Sequence, residues 1–449
     1  MASTDIYRAT DATAASGYSQ KWTWSGWVKR SGISSEQGIF SNERTDNHVN
    51  SRFKLRFIAS DVITWECKDS GGSDDSSFET NALFRDTSGW YHICFVYDTD
   101  NGTAADRLIL YVNGVRQTFG SENQASSGFG TLWSSAMIHQ VGRYDDNSGN
   151  SKYFNGSMSH IHLSYGYALA PTVFGETDST TGEWKIKTSP SVTYGSQGYF
   201  ILKDGNSLTD QSGESNDFTL SGGTLTNTED NPSNVFATGN PLCYDMATLS
   251  QGNTTQTSSG WKSSVTTLGF NSGKFYCEGK IVTTASGTTR SVFGACTEGI
   301  YNQQASGEMG QINTSGNTSH GYSPNGGAVI LNTSQIDTIA TATANDIIRV
   351  ALDLDNGFIY YGKNGVWENS GDPTSGATGT GGYAFPNTQG RVFFGNTTYG
   401  STINSMNFGN GYFGTTAISS EGTNASNIGK FEYDVPTGFT ALCTKGLNE

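Results

Sequence analysis

Charged residues, proline and long apolar runs are all scarce in this chain. Charged residues make up 15% of its 449 residues, and only 8 residues are proline. Nowhere does the chain approach the roughly 20 consecutive apolar residues that cross a bilayer as a helix. Its first residues, MASTDIYRAT, lack the basic and apolar segments of a secretory signal. We therefore expect neither membrane insertion nor signal-directed secretion.

Positive charge is also in short supply. The chain has 26 lysines and arginines against 41 aspartates and glutamates, which gives a formal net charge of −15. Such a chain repels phosphate backbones and anionic lipid surfaces, and no basic cluster in the sequence offsets this. We therefore expect no nucleic-acid partner and no binding to a membrane surface.

The 6 cysteines are few and widely spaced. None of them forms a Cys-x-x-Cys pair, and Cys67, Cys94 and Cys277 lie inside strand-like sequence. This pattern predicts buried thiols rather than a disulfide framework or a zinc site. Buried thiols suit folding in a reducing cytoplasm.

Sequence motifs of catalysis are missing as well. The chain has no Gly-x-Ser-x-Gly motif, its 6 histidines are scattered, and no phosphate-binding or dinucleotide-binding fingerprint occurs in a strand–helix setting. We therefore predict that the chain is not an enzyme.

Glycine and aromatic residues are what the chain has in abundance. It contains 57 glycines, and aromatic residues make up 12% of the sequence. Short aromatic or β-branched runs separated by Gly, Asn, Asp and Ser clusters predict an all-β protein. In GKFYCEGKI, Phe275 and Cys277 point to one face of a strand, while Tyr276 and Glu278 point to the other. This alternation predicts antiparallel sheets with one dry face and one wet face.

One hairpin sequence occurs twice. FVYDTDNGTAADRLILYVNGV begins at Phe95, and VALDLDNGFIYYGKNGV begins at Val350. Both end in Asn-Gly-Val, and the Asn-Gly pair predicts a type I′ turn at each tip because both residues tolerate positive φ. The repeat therefore predicts two sandwiches, each built around a central hairpin.

The distribution of strand-like and turn-rich stretches along the chain predicts three regions. Strand-like segments are closely spaced over residues 1–170, residues 171–242 are rich in turn residues, and cleaner strand patterns return in residues 243–449. We therefore predict a first β-sandwich domain, a turn-rich connector packed on it, and a second β-sandwich domain, with these boundaries.

These regions resemble known families. Residues 1–170, with WTWSGWVKR, SGWYHICFVYD and LILYVNGV, resemble the concanavalin A-like lectin/glucanase superfamily in its laminin-G-like form. Residues 243–449, with SGKFYCEGKI, RVALDLDNGFIYYGKNGVW and SMNFGNGYF, resemble a SPRY domain. Together with FGETDSTTGEWKIK, DNPSNVFATGNPL and the tail FEYDVPTGFTALCTKGLNE, their order resembles virion structural proteins of tailed phages, marine ones especially. The resemblance implies two antiparallel, jelly-roll-like sandwiches.

The phage resemblance also implies a location and partners. A virion protein of this kind assembles in the host cytoplasm and leaves the cell by lysis. Its partners would be other virion proteins of the capsid or the tail, together with host-surface polysaccharide. We expect it to be present in many copies or as a homo-oligomer.

Enzymes of the concanavalin A-like superfamily carry a Glu-x-Asp-x-x-Glu run on one strand. Its carboxylates share a face of the sheet, where they act as nucleophile and general acid. This chain has no such run. The departure from the enzyme pattern speaks against glycosidase activity.

The loop YDDNSGN is the candidate metal site of the sequence. Asp145, Asp146 and Asn147 supply the hard oxygen ligands that Ca²⁺ prefers, and laminin-G-like domains bind Ca²⁺ through such loops. The alternative is a solvated acidic loop. We expect no cofactor other than this Ca²⁺.

Four aromatic residues in or beside loop-like sequence are candidates for sugar contact. A glycan site needs an exposed ring for the CH face of a sugar and Asp or Asn hydrogen bonds beside it, which Asp145 and Asp146 could supply. The alternative is that each ring anchors the core or a loop. The candidates are Trp133, Tyr144, Trp261 and Tyr322.

The pair His160 and His162 is a further candidate. Alternate residues of a strand share a face, so the two imidazoles could chelate Zn²⁺. The alternative is that both histidines lie on a wet face while Ile161 and Leu163 fill the core.

From these observations we expect a non-enzymatic, particle-exposed protein. It would be a tail-fibre-like appendage or adhesin that presents lectin-like domains to host-surface glycans. Two alternatives stay open, a capsid decoration or cement protein and a polysaccharide depolymerase.

Overall fold

The computed structural model describes most of the chain. The described residues are 5–9, 17–44, 53–68, 74–133, 137–146, 150–203, 205, 207–243, 247–285, 288, 290–301, 308–311, 316–386 and 390–448. The chain divides into a first unit, Met1–Asn227, and a second unit, Thr228–Glu449. The region predicted as a connector is therefore shared, because residues 171–227 belong to the first unit and residues 228–242 to the second.

The strands of the first unit are short and pair antiparallel. They are β1 (Asp5–Ala9), β2 (Gly17–Ser19), β3 (Lys21–Arg30), β4 (Gln37–Arg44), β5 (Phe53–Phe57), β6 (Ile63–Lys68), β7 (Asp74–Thr80), β8 (Tyr91–Asp98), β9 (Leu108–Val112), β10 (Val115–Arg116), β11 (Phe119–Asn123), β12 (Thr131–Trp133), β13 (Met137–Val141), β14 (Arg143–Asp145), β15 (Ser151–Tyr153), β16 (Gly156–Tyr165), β17 (Gly175–Thr177), β18 (Trp184–Ile186), β19 (Tyr199–Ile201) and β20 (Thr219–Ser221).

Two large sheets form the first unit. Sheet A has the strand order β11-β7-β6-β5-β4-β13-β1-β20, and sheet B has the order β10-β9-β8-β3-β16-β19. Smaller pairs are β2 with β12, β14 with β15 and β17 with β18. The connector region thus adds one strand to each sheet, β20 beside β1 and β19 beside β16.

The second unit is also built from short strands. They are β21 (Thr248–Ser250), β22 (Thr255–Thr257), β23 (Lys262–Val265), β24 (Lys274–Thr283), β25 (Ser291–Thr297), β26 (Ser319–Ser323), β27 (Ala328–Leu331), β28 (Ser334–Thr338), β29 (Ile347–Asp353), β30 (Phe358–Lys363), β31 (Val366–Trp367), β32 (Tyr383–Ala384), β33 (Val392–Thr398), β34 (Ile403–Asn407), β35 (Tyr412–Phe413), β36 (Thr416–Ala417) and β37 (Thr440–Ala441).

These strands again form two large sheets. Sheet C runs β21-β22-β34-β24-β29-β30-β31, with β32 beside β30 and β37 parallel to β24. Sheet D runs β23-β33-β25-β26-β27-β28. The prediction of two antiparallel sandwiches is confirmed.

Helical structure is minor within the described residues. The α-helix α1 (Glu298–Tyr301) is a single turn, and the 3₁₀ turns are Ala104–Asp106, Pro171–Val173, Glu368–Ser370, Pro373–Thr378 and Gly446–Asn448. In the described part of the chain, no helix has the length and apolar character needed to cross a membrane.

Aromatic side chains fill the core between the two sheets of the first unit. Trp22 stacks on Phe53 with ring centres 5.2 Å apart and on Tyr97 at 5.3 Å. Such rings bury large apolar areas and pack in offset or edge-on pairs, which is how a chain with so few long apolar runs still builds a core. Residues that share one face of β24 and β29, such as Cys277 and Val350, line the core of the second unit.

The repeated hairpin has the same place in both units. The order β10-β9-β8-β3-β16 in sheet B matches β31-β30-β29-β24-β34 in sheet C. Asn113 and Gly114 have φ of 49° and 75°, and Asn364 and Gly365 have 46° and 89°, which confirms the predicted type I′ turns. Each turn asparagine also accepts a hydrogen bond from the first strand of its hairpin through its side chain, at 2.8 Å and 2.9 Å.

Sheets B and C are buried on both faces, which corrects the prediction of one wet face. Phe174 and its neighbours of residues 169–192 cover Cys94 and Val96 on the outside of sheet B. Phe431, Val435 and Phe439 cover Tyr276 on the outside of sheet C. Alternation therefore gave the correct core face, but later segments of the chain cover the opposite face of each sheet.

The cysteines follow the expectation of burial. Cys67, Cys94, Cys277, Cys296 and Cys443 are buried, and Cys243 is half-buried. Burial raises the pKa of the Cys94 and Cys296 thiols well above their ordinary range, which disfavours the reactive thiolate.

Candidate functional site

Two of the four aromatic candidates are buried. The Tyr144 ring is covered on the outside of sheet A by Lys54, whose Nζ lies 5.5 Å from the ring centre, and by Arg56 at 4.9 Å. The Tyr322 side chain lies inside the second unit, where its hydroxyl donates to the carbonyl of Ala340. Both rings are 0% exposed. The prediction that they stack on a sugar is therefore wrong.

The acidic loop is held together by ion pairs. Asp145 accepts two hydrogen bonds from Nη2 of Arg143, at 2.9 Å and 2.7 Å. Asp146 lies 3.6 Å from Nζ of Lys152 and accepts from the backbone N–H of Asn150 at 2.9 Å. No group of three or more His, Cys, Asp or Glu side chains placed to hold a metal occurs in the described part of the chain. Asn147 lies outside that part, so Ca²⁺ binding at this loop stays a prediction.

The two histidines of β16 do not lie together on a wet face, which was the alternative to Zn²⁺ chelation. The pairing of β16 with β3 is interrupted by a bulge between Ser159 and His162, and His160 has a φ of 49°, so simple alternation fails here. His162 is 2% exposed and stacks on Phe200 with ring centres 3.9 Å apart. The prediction of a wet face is wrong because the connector region covers these residues, while Ile161 and Leu163 fill the core as expected.

A serine–histidine pair that the sequence analysis missed lies under this cover. Oγ of Ser25 lies 2.8 Å from Nε2 of His92, and the indole Nε1 of Trp184 donates to Nδ1 of His92 at 3.0 Å. Both members of the pair are buried, and burial lowers the pKa of His92 to about 3. A substrate has no access to this pair, so it does not form a nucleophilic site.

Trp261 is the remaining aromatic candidate with a described side chain, since Trp133 lies in β12 with its side chain outside the described part. Trp261 directly precedes β23, and Tyr399 directly follows β33. The register pairs Lys262 with Thr398, so Trp261 and Tyr399 are the next cross-strand neighbours. Their rings lie 4.9 Å apart at an interplanar angle of 33°, and both are partly exposed.

Arg290 completes this cluster from the other side. The same Thr398 pairs with Ser291 of β25, so Arg290 is the cross-strand neighbour of Tyr399, whose N–H donates to the Arg290 carbonyl at 3.0 Å. The Arg290 guanidinium lies 4.8 Å from the centre of the Tyr399 ring. We call Trp261, Tyr399 and Arg290 the aromatic platform. It lies at one end of the outer face of sheet D, where Trp261 also packs against the hydrophobic cluster that contains Val265 and Val292.

The sequence around the platform carries no negative charge. Residues 251–265, 283–292 and 396–403 contain Lys262 and Arg290 but no Asp or Glu, although the whole chain has a net charge of −15. Exposed hydroxyl groups of Ser259 and Ser401 border the platform. The arrangement offers stacking faces, hydrogen-bonding groups and a cation at one surface.

The fold defines a protein of two β-sandwich units, with a partly exposed aromatic pair at one end of sheet D. Residues 3–173 match a family model described as the concanavalin A-like lectin/glucanases superfamily, in its laminin-G form. The match confirms the resemblance seen in the first part of the sequence. No curated protein sequence matches the chain.

Several solved structures are similar to part of this chain. The SPRY domain of human HERC1 is 18% identical, covers 37% of this chain and 96% of its own, and has a TM-score of 0.30. A heptameric SAP-like pentraxin from Limulus polyphemus is 15% identical over 37% of this chain and 78% of its own, with a TM-score of 0.26. The CBM40 of a Ruminococcus gnavus IT-sialidase, bound to α2,3-sialyllactose, is 14% identical. It covers 37% of this chain and 94% of its own, with a TM-score of 0.27.

Proposed function

We propose that this chain is a non-enzymatic surface protein of a tailed-phage particle and that it contacts host-surface glycans through the aromatic platform. The observation that carries the proposal is the partly exposed pair of Trp261 and Tyr399, whose rings lie 4.9 Å apart at the end of sheet D. Aromatic rings held on a rigid sheet edge offer a stacking surface for the CH faces of a pyranose, and nearby hydroxyls bind its hydroxyl groups.

A single platform of this kind binds weakly. Two rings and a few hydrogen bonds bury little area, and the ligand loses translational and rotational freedom on binding. Many copies on one particle convert later contacts into intramolecular ones, and avidity then exceeds the affinity of one site by roughly 10²-fold or more. Display in many copies is therefore part of the proposal.

Support for binding over catalysis comes from the buried polar groups. Ser25 and His92 are closed off from solvent, and the buried carboxyl group of Glu278 accepts hydrogen bonds from the backbone N–H groups of Glu432 and Tyr433 at 2.9 Å each. These groups are held by the fold, where no polymer can reach them. The depolymerase alternative is tested by product analysis on host polysaccharide, and release of oligosaccharides would favour it.

The particle location rests on the resemblance of the sequence to virion proteins. Buried free thiols are consistent with assembly in the reducing cytoplasm of the host, from which the particle would be released by lysis. The capsid-decoration alternative predicts hundreds of copies per particle, and a tail appendage predicts a few to tens. Quantification of the protein bands of purified virions separates the two.

Glycan contact is tested with the full chain displayed on beads against host cells and a glycan array. Trp261→Ala removes the larger ring and should weaken binding by about tenfold or more, as expected for a stacking contact of about 1.5 kcal/mol. Tyr167→Ala, which removes an exposed ring of the first unit, is the matched control and should bind like the wild type. Full binding by Trp261→Ala, or no binding by the wild type, would overturn the proposal.

A further inference from the structure

We propose that the aromatic platform selects an acidic saccharide, one that carries a carboxylate or a sulfate ester, and that Arg290 is the group that binds the anion. This inference rests on the proposed glycan contact and deepens it. It names the chemical class of the ligand and a specificity-determining residue that the sequence pattern did not single out.

Arg290 differs from the other arginines in how its guanidinium is used. Within the described residues, six arginines form ion pairs with carboxylates, namely Arg30, Arg56, Arg85, Arg116, Arg143 and Arg391. Arg8, Arg107 and Arg349 donate to backbone carbonyls. The described contacts of the Arg290 guanidinium consist of the Tyr399 ring, without a hydrogen bond or an ion pair.

The stacking on Tyr399 prepares this guanidinium for a ligand. Contact with the ring face restricts the long side chain, so less rotamer freedom is lost when a ligand binds. The N–H groups at the edge of the planar guanidinium stay available, and their fork matches the two oxygens of a carboxylate or a sulfate. An anionic group on a sugar that stacks on Trp261 or Tyr399 can therefore reach the guanidinium of the same platform.

The local charge favours an anion here although the whole chain disfavours one. The three stretches that form the platform and its flanks, residues 251–265, 283–292 and 396–403, carry two positive charges and no negative charge. Glu308 approaches from another segment, because the backbone N–H of its neighbour Met309 donates to Oγ1 of Thr397 at 2.8 Å. The remaining sequence holds all 41 acidic residues against 24 basic ones (26 minus 2). Repulsion by distant carboxylates is screened over about 8 Å at physiological salt, so the Arg290 guanidinium, which contacts the Tyr399 ring, acts most strongly on an anion bound at the platform. An anionic glycan is thus directed to this surface and away from the rest of the chain.

The experiment compares polymers that differ only in charge. Binding of the full chain is measured by biolayer interferometry or calorimetry to polygalacturonate and to its methyl ester, and to dextran sulfate and dextran. The first pair reports on carboxylates and the second on sulfates. Wild-type protein should bind at least one charged polymer about tenfold more tightly than its neutral partner, and the pair that shows the preference identifies the anion.

Three variants attribute the preference to Arg290. Arg290→Gln should remove the preference for the charged polymer and leave binding to the neutral polymer unchanged. Arg290→Lys, which keeps the charge but loses the planar fork, should retain part of it. Arg116→Gln removes one exposed positive charge from the first unit and should change neither value, which controls for the net charge of the chain.

The outcomes separate this inference from the proposed function. Equal binding of charged and neutral polymers that still depends on Trp261, or an undiminished preference in Arg290→Gln, overturns the role of Arg290 and leaves glycan contact standing. No binding of any polymer, of host cells or of array glycans overturns both.

Discussion

Trp184 donates its indole N–H to Nδ1 of His92 across 3.0 Å. An indole nitrogen is a donor only, so Nδ1 of the neutral imidazole must be the acceptor and the proton resides on Nε2. That proton points to Oγ of Ser25, 2.8 Å away. The histidine therefore donates to the serine and cannot take its proton, which is the opposite of what a serine nucleophile requires. The contact anchors residues 169–192, which cover the outer face of sheet B.

Removing this donor should weaken the first unit. Trp184→Phe keeps an aromatic ring but loses the hydrogen bond to His92, and we expect a loss of about 1 kcal/mol in the free energy of unfolding. Urea denaturation followed by tryptophan fluorescence measures it. A double-mutant cycle with His92→Phe isolates the pair, and a coupling energy near zero would show that the two side chains are energetically independent.

Replacing Gly114, the turn glycine of the first hairpin, should lower the free energy of unfolding more than replacing Gly128, which has the same backbone conformation but no close neighbour. A β-carbon at Gly114 would lie 2.5 Å from the Trp184 indole, whereas at Gly128 it would meet nothing within 4 Å. Their φ angles, 75° and 73°, impose the same strain on alanine. Gly128→Ala should cost about 1 kcal/mol and Gly114→Ala clearly more.

Thermal and urea unfolding of both variants decide this prediction. Equal losses would mean that the indole moves aside freely. Gly365→Ala in the second hairpin should fall between the two, because its β-carbon would lie 3.2 Å from the ring of Tyr433, a smaller overlap.

The first unit should lose stability on mild acidification. Burial lowers the pKa of His92 to about 3 and the pKa of His139 and His162 well below 6.5. The folded state excludes protons that the unfolded state binds below pH 6.5, so the stabilisation is fully present above pH 6.5 and is lost as the pH falls toward 3. Three such groups give a slope of about 4 kcal/mol per pH unit.

Urea unfolding of the full chain at pH 7, 6 and 5 measures this slope, read by tryptophan fluorescence, to which the first unit contributes seven of the nine tryptophans. His162→Gln should reduce the slope by about one third. His320→Gln, which removes a buried histidine of the second unit, should leave it unchanged. A flat profile between pH 7 and 5 would contradict the prediction.

Glu278 should give the second unit an opposite dependence on pH. Burial raises its pKa to about 7, and this effect outweighs the hydrogen bonds from Tyr276, Glu432 and Tyr433. The folded state then holds a proton that the unfolded state releases near pH 4.5. This stabilisation is full below pH 4.5 and is lost as the pH rises through 7, by a total on the order of 3 kcal/mol.

Comparison with Glu278→Gln isolates this carboxyl group, because the titration of His320 is common to both chains. The difference in unfolding free energy between wild type and variant should fall steadily from pH 5 to pH 8. A difference that is constant over this range would show that the carboxyl keeps an ordinary pKa in the folded state.

The fold could be predicted from the sequence because its signals are local. Alternation along β24 and the Asn-Gly turns after β9 and β30 depend on residues next to one another in the chain. The burial of the outer faces of sheets B and C could not be predicted. Phe174 and Phe431, which cover these faces, lie far along the chain from the strands they cover.

The site was only partly predictable for the same reason. Trp261 stood out as an aromatic residue beside a loop, but Tyr144 and Tyr322 gave the same local signal and are buried by distant residues. Tyr399 and Arg290 join Trp261 through strand pairing over more than a hundred residues of chain. A sequence signal was present in the three stretches without Asp or Glu, and strand order was needed to bring them together.

The covered outer face of sheet B has a consequence for the exchange of gene segments between related chains. A recombination junction at residue 170 would separate the sandwich from Phe174 and Trp184, and the truncated product would display His92, Cys94 and Val96 to water as an adhesive patch. A junction after Asn227 keeps the strands together with their covering. The segment that can be inherited as a self-sufficient module is therefore longer than the lectin-like sequence match alone.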